Sequence, residues 1–383
     1  MNILVVPMFA LSRMNGPWSR AQAIAAAFDR RGHRVVLGMA EDGNCTNPCV
    51  SDTCQLPVPS PLGLPMIIAS RTFPLAQKLG IAGRKPVRSF EEVLWLTGAL
   101  DYGYEHKSVS ALCDVIESQH IDAVYSEFSM PAIIAARALD VPVFGSFSFT
   151  TQTSFASDPK KAGGVRKLVQ ELGLPHIDSS LELFDWLNRR FVPSCHELEP
   201  IDDATTEFVG FLKETPELAN GERNCILVYL GSGSVPQRQI ERAVTVALGE
   251  FEGDVYVANC ASEHHEGNLH FAPRFDFAHV LPRARCFVHH GGQNSMMDAL
   301  AYGIPQVIVP GRVFERIYNA DSVERIGGGM KLTSFDAQTL GDACQRACED
   351  PSFVESALAI RQSLAAGGGV AHIVSTIEHV LAG

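Results

Sequence analysis

The chain has 383 residues, 46% of them hydrophobic and 19% charged, with 31 Lys and Arg against 43 Asp and Glu for a formal net charge of −12. This length exceeds the ~250–300 residues over which one hydrophobic core usually grows, so two domains are expected. The acidic balance argues against nonspecific nucleic-acid binding, which needs basic surface to displace counterions, and no run reaches the ~18 apolar residues expected of a membrane span.

The N-terminal MNILVVPMFA lacks the basic start and small-residue cleavage site of a signal peptide. It reads as a buried strand at 3–7, and a cytoplasmic location is expected. A helix follows at 18–31, ended by Gly32, then a strand at 34–38. Residues 44–100 read as irregular, rich in Pro, Ser and aromatics, the kind of long loop that selects ligands on an α/β scaffold. Cys45, Cys49 and Cys54 cluster there. Zinc ligation by them is conceivable, but a second half-site spacing is missing, which favours reduced loop thiols. Further on come a strand at 123–125, a helix at 131–139 and a strand at 142–145. A polar, weakly periodic stretch supplies the linker. A second series then begins, with strands at 225–230, 254–259, 286–289 and 306–310, and helices at 237–250 and 295–302. Two helical segments, 352–365 and 370–381, close the chain on either side of Gly367-Gly368-Gly369.

Alternating short apolar runs and amphipathic segments predict two doubly wound α/β domains. The expected division is 1–205 as an N-terminal Rossmann-like domain, 206–221 as linker and 222–365 as a C-terminal Rossmann-like domain. Residues 366–383 are expected as a helix packing back toward the N-terminal domain.

The segment HHGGQNSMMDALAYGIPQVIVPG, His289 to Gly311, carries the most chemistry. A strand delivers the chain into His290-Gly291-Gly292 and straight into a helix. The amides of Gln293, Asn294 and Ser295 would then point at an anion, aided by the helix dipole, with the Ser295 hydroxyl and a His290 ring N–H beside them. A diphosphate suits this set. Turn and cap requirements alone can also produce a strand–Gly-Gly–helix junction. A second turn, Gly231-Ser232-Gly233-Ser234, follows the first strand of the same half, at the edge where open sheets bind ligands.

HxGxNSxxD, followed by GIP, VP and Asn319-Ala320, resembles the nucleotide-sugar signature of the two-domain inverting glycosyltransferases, the superfamily of plant UDP-glycosyltransferases and bacterial antibiotic glycosyltransferases. The likeness is strong over 280–329 and collinear over the rest, including RGHRV at 31–35. It implies a GT-B fold, with two facing Rossmann-like domains flanking an interdomain cleft, a UDP- or dTDP-sugar donor in the second domain and a small natural-product acceptor in the first. It also implies inverting transfer without a metal or other cofactor. Neither a nucleic-acid partner nor a membrane span is expected, and a homodimer is left open.

Carried over by position, His290, Gly292, Gln293, Asn294 and Ser295 would hold the diphosphate, with Ser232 and Gly233 nearby. Asp298 stands where the family has a ribose-binding glutamate, one methylene longer. Glu315 and Arg316 occupy the Asp-Gln pair that holds the sugar hydroxyls. Arg316 cannot accept a hydrogen bond, which leaves two readings: a sugar with an anionic or otherwise substituted group, or an arginine turned to solvent or to Glu315. Arg274 falls near the base-stacking tryptophan, and Val280 in the VLP segment borders the donor site.

Inverting transfer needs a base for the acceptor hydroxyl. The family's histidine position is Pro17 here, in Gly16-Pro17-Trp18-Ser19-Arg20, and His33 lies at the far end of the helix. The family aspartate that orients the histidine matches Glu127, which is therefore the tentative base, buried in the cleft; a helix-capping or solvated glutamate is the plain alternative. Ser12, Arg13, Gly16, Ser19 and Arg20 line the same turn and are candidates for acceptor or phosphate. A nucleophile that is already acidic would need no base. Two other functions compete: a noncatalytic glycosyltransferase-like helper, which Pro17 favours, and a sugar-nucleotide epimerase.

Overall fold

The computed structural model describes residues 1–11, 15–40, 45–61, 64, 86–156, 158–218, 221–231 and 235–383. The chain forms two compact units: Met1–Pro74, Arg88–Glu214 and Ala366–Gly383 make unit 1, and Leu75–Val87 with Thr215–Ala365 make unit 2.

Unit 1 carries a seven-stranded parallel sheet, β1 (Asn2–Pro7), β2 (Arg34–Ala40), β3 (Thr53–Leu56), β4 (Ala123–Glu127), β5 (Val143–Ser146), β6 (Arg189–Val192) and β7 (Thr206–Phe208), in the order β3-β2-β1-β4-β5-β6-β7. Its helices are α1 (Asn15–Arg30), α2 (Phe90–Thr97), α3 (Tyr102–Ser118), α4 (Met130–Ala138) and α5 (Gly163–Glu171). Strands covered on both faces read as apolar runs, and Ile3, Leu4, Val5 and Val6 are all buried. From β1 the chain winds through α1 to β2, and from β4 through α4 to β5, in opposite directions. That reversal opens a crevice at the carboxyl ends of β1 and β4, where sheets of this kind bind ligands.

The stretch expected to be irregular holds two elements, β3 and α2. The first is an edge strand of four residues, too short to show a period. The second is a two-turn helix started by Ser89, whose Oγ accepts from Glu92 N at 3.1 Å; its buried Glu91 accepts from the Ser179 and Ser180 hydroxyls. β7 lies within the expected linker and pairs with β6, so the first sheet runs on past residue 205.

Unit 2 has a second seven-stranded sheet, β8 (Cys225–Tyr229), β9 (Asp254–Ala258), β10 (His264–Glu266), β11 (Leu269–Ala272), β12 (Ala284–His289), β13 (Gln306–Ile308) and β14 (Gly329–Lys331), ordered β10-β11-β9-β8-β12-β13-β14. Only the β10–β11 edge pair is antiparallel. Helices α6 (Gln237–Leu248), α7 (Gln293–Ala301), α8 (Phe314–Arg325), α9 (Ala337–Glu349) and α10 (Ser352–Ala366) belong here. The switch of winding direction falls between β8 and β12. Val87, far upstream in sequence, bridges Val313 and so groups with this unit rather than with its chain neighbours.

The chain returns to unit 1 as α11 (Gly369–Ala382). Residues 352–382 contain an 18-residue window of mean hydropathy 1.2, enough by length and composition for a membrane span, which the reading of apolar runs overlooked. The segment is bent at Gly368, and α11 buries Ile373, Val374 and Ile377 in the core beneath α1. His33, expected at the surface, is a half-buried pin: its Nε2 lies 2.8 Å from Glu378 on α11.

Glu105 on α3 is fully buried, and neither carboxyl oxygen has a hydrogen-bond partner. Burial, with Asp101 adding to it, pushes its pKa well above the usual carboxylate value. Because the folded pKa is raised, its favourable contribution is complete below the unfolded value and is lost as pH rises toward the folded one. Glu105→Gln should therefore melt like the parent near pH 4.5 and above it at pH 8. The gap should widen by about 1.4 kcal/mol per pH unit between the two pKa values; parallel melting curves at both pH values would refute this.

Candidate functional site

β12 ends at His289, and three residues later α7 begins, capped by Gly292 with no side-chain cap. The amides of Gln293, Asn294 and Ser295 thus form the first turn of α7, where backbone N–H groups have no partner within the helix. Among them Ser295 is buried and the other two are half-buried. Gly291 lies at φ +83°, and a Cβ on it would stand 2.8 Å from the Arg316 carbonyl and 3.1 Å from the Ile308 side chain. Gly292 has an ordinary extended backbone, but a Cβ there would come within 2.7 Å of His290 Nε2. The imidazole of His290 therefore lies directly over the turn.

Residues outside the expected set hold this turn. His289 is fully buried; its Nδ1 accepts from Gly291 N at 3.0 Å and its Nε2 lies 2.8 Å from Gln306 Oε1. An accepting Nδ1 carries no proton, so the proton is on Nε2 and is donated to Gln306. Burial brings the His289 pKa down to about 4, although the Gln306 bond opposes the shift, and the ring stays neutral. On the other side of the turn, buried Asn319 donates Nδ2–H to the Gly291 carbonyl at 2.8 Å. Both backbone groups of Gly291 are thus fixed.

His290 is also neutral. Burial, then the nearby charge of Arg316 and the His289 ring, bring its pKa down to about 3. Its ring meets Tyr229 edge-on at 5.6 Å between centroids, and its Nδ1 has no hydrogen-bond partner. A Cβ on Gly231 would stand 3.0 Å from that nitrogen, so the turn after β8 converges on His290. This places the two turns together at the switch point of the sheet. Ser232 and Gly233 lie outside the described residues.

Arg316, in the first turn of α8, is half-buried. Burial lowers its pKa, with Glu315 and Tyr229 pulling the other way. Its charge is felt at His290, so it is not turned to open solvent. Glu315 and Asp298 are half-buried, and Arg274 is exposed just after β11. Val280 differs from expectation in that its side chain is core, 7% exposed, because it packs with Leu227 and Phe287.

In unit 1, Ser12 and Arg13 lie outside the described residues. Pro17 is buried near the start of α1, while Gly16, Ser19 and Arg20 are half-buried. Glu127 ends β4 and is fully buried. Its Oε1 takes a hydrogen bond from Arg20 Nε at 2.5 Å, and its Oε2 accepts from the Ser146 hydroxyl, which also meets the Tyr125 hydroxyl at 3.0 Å. A base must present an oxygen to the acceptor's proton. Here both oxygens are engaged and none is exposed, which does not suit the base role expected of Glu127. Among the acceptor-loop aromatics, Phe147 is core, whereas Trp95 is 42% exposed.

Residues 243–380 match the erythromycin biosynthesis protein CIII-like C-terminal domain. The chain is 38% identical over 106 residues to the aclacinomycin-T 2-deoxy-L-fucose transferase of Streptomyces galilaeus, a match covering 27% of this chain and 24% of that protein. Its matches span 24%, 33% and 38% of the lengths of the first curated relatives. Among solved structures, the glycotransferase of kitacinnamycin superposes with a TM-score of 0.73 at 19% identity, over 99% of this chain and 98% of that one. A spinosyn rhamnosyltransferase complexed with thymidine diphosphate gives a TM-score of 0.73 at 15% identity, over 99% and 100%. At these identities the superpositions establish the GT-B fold.

Proposed function

We propose that this chain, which belongs to the superfamily of natural-product glycosyltransferases with the GT-B fold, moves a sugar with inversion from a nucleotide-diphosphate donor to a small natural-product acceptor. The observation that carries this reading is the fixed turn at 289–292. Its glycines let the backbone approach a ligand, and α7 offers its first-turn amides to an anion. The neutral His290 can donate one N–H to a diphosphate oxygen, and the Arg316 charge nearby offsets the charge that builds on the departing diphosphate. Donors already in position cost no reorganisation when the bond breaks, so no metal is invoked. Unit 2 would hold the donor and unit 1 the acceptor.

Thermal melting across UDP-, dTDP- and GDP-sugars tests donor binding. A ligand at about 100 times its Kd stabilises the folded state by about 2.7 kcal/mol, so one base is expected to raise Tm by several degrees. The dTDP-sugars are the first arm, because thymidine diphosphate occupies the spinosyn rhamnosyltransferase. No shift with any of them would refute donor binding. Pro17 supports a second reading, a helper that binds donor without turnover. A Tm shift without transfer or donor hydrolysis in a single-turnover assay would favour it.

A further inference from the structure

We propose that Arg20, held by Glu127, binds the acceptor as an oxyanion, so that the nucleophile is the ionised oxygen of a phenol or carboxylic acid rather than an alcohol. The inference rests on the glycosyl-transfer reading of unit 2.

Arg20 on α1 and Glu127 at the end of β4 meet at the crevice of the unit 1 sheet. The position where a proton acceptor is expected is Pro17, which has no titratable group. The carboxylate that would orient such a base is present, but it grips a guanidinium instead. The Glu127 carboxylate is 0% exposed and the Arg20 side chain 13%, so the pair is rooted in the core and reaches the surface only through Arg20. Ser146 fixes the other carboxylate oxygen, and the Arg20 guanidinium lies 5.6 Å from the centroid of the Phe128 ring. Arg20 Nη1 stands 3.3 Å from the point where a Cβ on Gly16 would be, so the outer edge of the fork runs beside a residue with no side chain.

A guanidinium cannot take a proton, but it binds planar oxyanions and favours their ionised form. With the acceptor bound this way, a lone pair of the oxyanion forms the bond to the anomeric carbon as the bond to the β-phosphate oxygen breaks. The bonding electrons leave with the diphosphate and no proton moves. The missing base then follows from the substrate.

The test pairs each anion with its neutral counterpart: 4-nitrophenol against 4-nitrobenzyl alcohol, and benzoate against benzyl alcohol. Each is offered with the nucleotide sugar that raises Tm. Transfer is expected to an anion and not to the alcohols. Arg20→Lys should lower it by about tenfold or more, since the bidentate fork is lost. The double variant Arg20→Met with Glu127→Gln, which leaves no buried charge unpaired, should abolish transfer while the nucleotide Tm shift stays intact. Equal use of the alcohols, or transfer by the double variant, overturns the proposal. If no nucleotide sugar binds, saturation-transfer NMR with benzoate and 4-nitrophenolate still decides it. Binding of either anion, lost in the double variant, supports the Arg20 site though the transfer reading has failed. Binding of neither at millimolar concentration overturns it.

Discussion

Gly291→Ala is expected to lose both stability and nucleotide binding, whereas Gly292→Ala should lose nucleotide binding alone. At position 291 the backbone lies at φ +83°, a left-handed conformation that costs an L-residue about 1–2 kcal/mol. The added methyl also meets the Arg316 carbonyl at 2.8 Å, and a main-chain atom of α8 cannot step aside as a side chain can. The strain would spread to His289 and Asn319, which bond the two backbone groups of Gly291. At 292 the conformation is ordinary for alanine, and the only close contact is the His290 ring at 2.7 Å. That ring must swing away, taking its N–H from the turn. Melting curves of both variants, with and without the stabilising nucleotide, separate the two effects. If Gly292→Ala binds nucleotide as the parent does, His290 is not a diphosphate ligand.

The second large effect concerns the buried pair in unit 1. Arg20→Met alone should destabilise the protein by about 3–5 kcal/mol, because it strands the Glu127 carboxylate without a counter-charge. Adding Glu127→Gln should recover most of that loss, since an amide needs no counter-charge and still accepts from Ser146. Denaturant unfolding of the parent, both single variants and the double completes the cycle. A double variant no more stable than Arg20→Met would show that the pair's energetic role has been misjudged.

The turn after β12 was legible in the sequence because its determinants are local: an apolar strand, two glycines and a helix within a dozen residues. The interactions that make it rigid were not. Gln306 follows His289 by 17 residues and Asn319 follows Gly291 by 28, and no periodicity marks a buried amide as the partner of a histidine or a carbonyl. Arg20 and Glu127 lie 107 residues apart. Each had been picked out separately, Glu127 as a base and Arg20 as a loop contact, and only the fold shows that they neutralise each other. Val280 was misplaced for a related reason. A segment that borders a ligand by resemblance still spends its side chain on the core when that side chain faces Leu227 and Phe287. In the stretch read as irregular, β3 and α2 are too short for a helical or strand period to rise above Pro and Ser composition.

The return of α11 to unit 1 makes the chain nested rather than modular. Unit 2 is spliced into unit 1 between Glu214 and Thr215 on one side and Ala365 and Ala366 on the other. Halves exchanged between relatives by a single crossover would part α1 from the helix it grew up with, pairing Arg31 and His33 with a stranger's Glu378 position and Glu207 with a stranger's His372. Recombination of donor preference in this scaffold therefore calls for two seams, with the final segment inherited together with the acceptor-side sheet.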